Sequence, residues 1–132
     1  MAEKEFHNLS ELQLNIDPLT GTIDSSWGNL GFWSLQDISP SPMNYPQACR
    51  QLAREVAHMA ELNGEHSLLD TGFGCGDQLV VWLEEFKLSK VFGVNLSISQ
   101  TRHAQKKVAA QELDAGIRCD LKVGDCCQPS AW

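Results

Sequence analysis

The stretch Leu68-Leu69-Asp70-Thr71-Gly72-Phe73-Gly74-Cys75-Gly76-Asp77-Gln78 constrains this chain more than any other. A short apolar run ends in an acid, passes three alternating glycines and opens into Leu79-Val80-Val81-Trp82-Leu83. That pattern predicts a buried strand, a tight turn and the start of a helix. Residues without a Cβ tolerate positive φ and let a ligand approach the backbone. The helix that follows aims unpaired N–H groups and its positive dipole end into the same turn. Such a turn is a cradle for a small molecule, with Asp70 at the strand tip as acceptor for a cationic or hydroxylated group. The dinucleotide pattern G-x-G-x-x-G fails, because its last position falls on Asp77 counted from Gly72 and on Leu79 counted from Gly74.

The flanking sequence predicts the rest of an α/β unit. A helix is expected from about Tyr45 to Leu62, with Pro46 in its first turn and Asn63-Gly64 as its stop. Its apolar face is read as Cys49, Leu52, Ala53, Val56, Met59 and Ala60, with Arg54 and His58 solvated. A strand at Ser67–Asp70 leads through the glycine turn to a helix at Asp77–Leu88, with Leu79, Val80, Leu83 and Phe86 toward a sheet. Val91–Asn95 is a second strand. Ser97-Ile98-Ser99-Gln100 reads as a capping box opening a helix that runs to about Ala115. Cys119–Val123 alternates as a third strand, closed by Gly124-Asp125. Right-handed crossovers set these parallel strands in the order 3-2-1, half of a doubly wound sheet, and place Asp70, Asn95 and Asp125 together at the carboxyl ends.

Residues 1–44 are less regular. Phe6, Leu9, Leu12 and Ile16 have helical spacing, ended by Asp17-Pro18 and Thr20-Gly21. Trp27-Gly28-Asn29-Leu30-Gly31-Phe32-Trp33 is an aromatic loop, either a plug for the end of the core or a lid. Ser39-Pro40-Ser41-Pro42 follows as a turn-rich linker.

A net charge of −7 without a Lys/Arg cluster disfavours nucleic acid and anionic membrane as partners. No apolar run approaches the roughly 20 residues of a membrane span, and the first residues form neither a signal core nor a basic transit segment, which predicts a cytoplasmic protein. Cys49, Cys75, Cys119, Cys126 and Cys127 lack C-x-x-C spacing and read as reduced, mostly buried thiols. His7, His58, His66 and His103 are scattered, so no metal site is expected.

Asp-x-Gly-x-Gly-x-Gly after an apolar strand resembles motif I of the class I S-adenosylmethionine-dependent methyltransferases, whose fold is a Rossmann-like three-layer α/β/α sandwich. Asp-Gln after the glycines, Gly93-Val94-Asn95-Leu96-Ser97 and a following Gln resemble a bacterial-type (type 11-like) subgroup that methylates small molecules such as natural products, sugars, quinones or amines. The resemblance covers roughly residues 29–132. It implies S-adenosylmethionine as cofactor, with Asp70, Thr71, Gly72, Gly74 and Gly76 lining its amino-acid end. It places Asn95 and Leu96 at the ribose, and Asp125 and Cys126 at the adenine. Gln100 is either a ligand residue or the partner in its capping box, and Asp125 either a ligand residue or a turn residue closing its strand. Asn95 stands where the family usually has an acid; an amide still meets a diol, without charge assistance. Asn29-Leu30-Gly31-Phe32-Trp33 is similar to a segment that closes over cofactor and substrate in related enzymes.

The resemblance therefore divides the chain into an N-terminal arm or lid, residues 1–44, and the first half of a cofactor-binding domain, residues 45–132. A class I sheet normally has further strands carrying the acceptor-facing residues, so the chain reads as truncated and no catalytic base is named. The bare edge of Leu68-Leu69 predicts self-association. The expected function is methyl transfer to O, N or C of a small-molecule acceptor. The alternative is a truncated, non-catalytic cofactor-binding or interaction protein.

Overall fold

The computed structural model describes residues 15–16, 23–33, 44–113 and 115–128. The elements run β1 (Asn15–Ile16), β2 (Ile23–Ser25), α1 (Tyr45–Met59), β3 (Ser67–Thr71), α2 (Asp77–Glu84), β4 (Lys90–Asn95), α3 (Ile98–Ala109) and β5 (Arg118–Val123). β3, β4 and β5 form a parallel sheet in the order β3-β4-β5, the order expected from right-handed crossovers. Asn15 and Ile16 pair with β2 in an antiparallel ladder rather than ending a helix. The remainder of that expected helix, and the Ser39–Pro42 linker, lie outside the described residues.

Register sorts the sheet into two unlike faces. Leu68, Val91 and Cys119 are partners on one face, as are Asp70, Gly93 and Leu121. Against that face α2 and α3 set Leu79, Leu83, Ala104 and Val108, and with Phe73, Leu88, Val91 and Leu121 they make the main buried cluster. On the opposite face Leu69 and its partner Phe92 remain 51% and 38% exposed. Parallel sheets normally bury both faces, so this apolar pair marks ground that no described element covers.

α1 packs on α2 along only part of the stripe its sequence suggested, through Cys49 and Ala53. Its buried residues are Ala48, Cys49, Ala53 and Ala57, whereas Val56 and Met59 are exposed. The small side chains let the two helices approach, and Trp27 and Val81 complete a second cluster with Cys49 and Ala53. Asn44 and Gln47 form a full capping box around Pro46. Arg54 is not merely solvated: it and Arg50, one turn earlier, both grip Glu85 just past α2, at 2.6 Å each. α2 stops at Glu84, before the expected Leu88, and buries Val81 where Val80 was expected, because one side of it meets the sheet and another meets α1.

Gly76 is the N-cap of α2, at φ +81°. A Cβ there would lie 2.7 Å from the Ala104 Cβ of α3, so this glycine is where the turn and α3 touch. Gly76→Ala should therefore combine left-handed strain of about 1 kcal/mol with about 1–3 kcal/mol of overpacking. Gly72→Ala, at φ +88° with open space beside it, should show the strain alone. Urea unfolding of the two variants checks the ranking; equal losses would remove the packing role of Gly76.

Candidate functional site

Beyond the carboxyl end of β3 a cavity of about 320 Å³ opens between the glycine turn, α1 and the segment before it. Its walls are Gly72, Phe73, Gly74 and Cys75 from the turn, Gln78 and Trp82 from α2, Leu52, Ala53 and Val56 from α1, and Ser26, Gly28 and Asn29. The turn supplies space: beside Gly72 and Gly74, at φ +88° and +58°, a Cβ would meet nothing within 4 Å. The backbone there is open to a ligand. Trp82 adds an indole Nε1 that is sealed from solvent yet has no acceptor among the described residues.

Asp70 sits at the base of this turn on the helix-covered face. Gln78 donates to its Oδ2 at 3.2 Å and to the Phe73 carbonyl at 3.0 Å, tying strand, turn and helix. Burial pushes the Asp70 carboxyl up to about 6, against the opposing Gln78 hydrogen bond. Among the described residues no cation faces this carboxylate, and a ligand ammonium would supply one. Between the ordinary Asp value and about 6 the folded chain binds more protons than the unfolded one, so this group's contribution to stability declines as pH rises through that window.

Asn95, expected at the ribose, is 6% exposed and faces into the protein. Its Oδ1 accepts from the Gly74 N–H at 3.2 Å. Its Nδ2 donates to the Ser97 carbonyl at 3.3 Å and to Gln100 Oε1 at 3.1 Å. Those partners fix the amide orientation, since the Gly74 N–H requires an oxygen and the Ser97 carbonyl requires a nitrogen. Asn95 therefore holds the glycine turn from behind. Gln100 braces the same turn. Its N–H meets the Ser97 hydroxyl at 3.3 Å, half of the expected box, while its buried side chain reaches Asn95. Gly76 lies buried against Ala104 of α3.

The other expected residues stand open. Thr71 is exposed at the tip of β3, and Leu96 is 74% exposed beyond β4. Asp125 and Cys126 are exposed in the turn after β5, where Asp125 Oδ1 accepts from the Cys127 N–H at 2.9 Å. So Asp125 closes its strand and still offers a free face.

The aromatic loop plugs one end of the core and leaves its tip exposed. Trp27 is buried in the core, while Leu30, Phe32 and Trp33 are exposed. The loop is pinned to α1: the Tyr45 hydroxyl donates to the Asn29 carbonyl at 2.6 Å, and the Phe32 N–H to the Ala48 carbonyl at 2.8 Å. A second latch, invisible to spacing, joins Ser26 to Asp77 at 2.6 Å and Lys107 to both, at 2.6 Å and 2.7 Å. Leu52, Val56 and Trp82 were missed as cleft residues because apolar helix positions read as core. Ser26 and Gly28 carry no signal at all.

No protein-family model matches the chain. Over 101 residues, 76% of this chain, it is 30% identical to the erythromycin 3''-O-methyltransferase of Saccharopolyspora erythraea. It spans 31% of that relative's length. The mycolic acid cyclopropane synthase CmaA1, complexed with SAH and CTAB, superposes with a TM-score of 0.63 at 23% identity, over 83% of this chain and 34% of that one. The cyclase SpnF superposes at 0.62 and 22%, over 74% and 34%. At such identities these superpositions establish the fold, part of a Rossmann-like methyltransferase sheet, and the cyclase shows that the fold alone does not choose the reaction.

Asn95→Asp removes the donor that Ser97 and Gln100 share and sets oxygen against oxygen. Thermal or urea unfolding should show a loss of about 1–3 kcal/mol. An unchanged midpoint would mean that the amide does not hold the turn.

Proposed function

We propose that this chain, homologous to part of the class I S-adenosylmethionine-dependent small-molecule methyltransferases, holds S-adenosylmethionine across its glycine turn for methyl transfer to a small-molecule acceptor. The observation that carries the reading is the open turn at Gly72 and Gly74 over a desolvated Asp70. Bound there, the sulfonium supplies an electrophilic methyl group. The chain's own share is orientation. Asp70 and Thr71 receive the amino-acid end, Gly72 and Gly74 give it backbone contact, and Leu96 flanks the ribose. Asp125 and Cys126 meet the adenine edge, while Asn95, Gln100 and Gly76 hold those parts in place. Leu52 and Val56, with the segment 26–33 as the lid part of the arm, close the cleft.

In this reading residues 45–132 are the first half of a cofactor domain. The chain's span of about a third of its curated relative favours this, and it also sustains the second reading, cofactor binding without turnover. Transfer of a labelled methyl group to candidate acceptors separates the two. The bare face also predicts self-association of the isolated chain; light scattering should show it reduced in Leu69→Lys, and a monomeric parent chain would refute it.

Calorimetry with S-adenosylhomocysteine tests the cofactor reading directly. Protonated Asp70 cannot pair with the ligand's ammonium, so affinity should fall about tenfold per pH unit below pH 6. In Asp70→Asn it should be weak and flat over that range. A parent chain that binds with equal affinity at pH 5 and pH 7 would remove Asp70 from the site, and one that does not bind would overturn the proposal.

A further inference from the structure

We propose that the turn closing β5 is a binding site for a thiophilic divalent cation of the zinc class, ligated by the Asp125 carboxylate and the Cys126 and Cys127 sulfurs. The three ligand atoms lie within 4.8 Å of one another, and all three residues are exposed. No other His/Cys/Asp/Glu group among the described residues comes together in this way.

Neighbouring residues of a strand point to opposite faces, so adjacent cysteines do not make a ligand pair by spacing alone. Here the chain has left β5 and reversed. The Cys127 N–H donates to Asp125 Oδ1 at 2.9 Å and the Gln128 N–H to the Asp125 carbonyl at 2.9 Å, so the turn carries both thiols on the acid's side. Its base is anchored where the Gly124 N–H meets the Asn95 carbonyl at 3.1 Å.

The donor chemistry suits a borderline-soft cation. Two thiolates at about 2.3 Å and a carboxylate oxygen at about 2.1 Å fill three corners of a tetrahedron, leaving the exposed fourth to water. Binding forms two S–metal bonds and one O–metal bond, breaks two S–H bonds and releases two protons to solvent, with no change of oxidation state.

The site shares Asp125 and Cys126 with the proposed adenine edge, so the cation should compete with cofactor there. That consequence rests on the cofactor reading; the cation site does not.

The test titrates the full reduced chain with Cd²⁺ and follows the ultraviolet thiolate-to-cadmium absorbance, with Zn²⁺ as competitor. The expected result is one cadmium per chain, displaced by zinc. Cys126→Ser and Cys127→Ser should each weaken binding by about tenfold or more. Asp125→Asn keeps an oxygen for the Cys127 N–H and should weaken it less. Cys119→Ser, a half-buried thiol elsewhere on β5, should bind as the parent does. No thiolate–cadmium absorbance, or absorbance unchanged in both Cys126→Ser and Cys127→Ser, overturns the site. Unchanged S-adenosylhomocysteine affinity in the cadmium-loaded chain overturns only the competition, and a chain that binds cadmium but no S-adenosylhomocysteine overturns the cofactor reading while supporting the cation site.

Discussion

One side-chain amide holds the functional end of this molecule together. Asn95, at the last position of the central strand, receives the N–H of Gly74 from one neighbour and bonds Ser97 and Gln100 at the start of α3. The turn is anchored on one side by the buried Phe73 and Cys75, while Gly72 and Gly74 must stay open. A buried amide satisfied on both its oxygen and its nitrogen gives such a turn one conformation, because any other leaves polar groups unpaired away from water. The same residue sets the height of the β5 turn, through its backbone carbonyl to Gly124.

The glycines divide the remaining work. Gly72 and Gly74 leave space at the cavity, whereas Gly76 removes a Cβ so that α3 reaches the start of α2. Close packing on one side of the turn and emptiness on the other come from the same residue type within five positions. Their roles follow from what lies opposite each of them.

Beyond the sheet, polar latches join segments distant in sequence. Ser26, Asp77 and Lys107 tie the segment before Trp27 to α2 and α3, and Glu85 receives two arginines of α1. The Asp77–Lys107 pair is largely shielded and carries an added hydroxyl, while the Glu85 group is exposed and contributes little to stability. Both act more on position than on stability. They keep α1 and residues 26–33 over the cavity that the turn opens.

The local pattern was enough for the strands, the turn, the crossover helices and the order of the sheet, because periodicity, glycine spacing and the handedness of crossovers are properties of neighbouring residues. It was enough also to place Asp70 near the end of its strand and the glycines in the turn after it. Tertiary contact decided the rest. Val56 and Met59 looked like core and are exposed, since α1 meets α2 through alanines. That Asn95 and Gln100 bond each other was also not legible, because an amide's partners depend on what the fold brings near it. Cys126 and Cys127 looked like ordinary thiols, and only the reversal after β5 sets them beside Asp125. Which face of the sheet is covered was likewise beyond the strand pattern, for alternation tells the two faces apart without saying which of them the helices will cover.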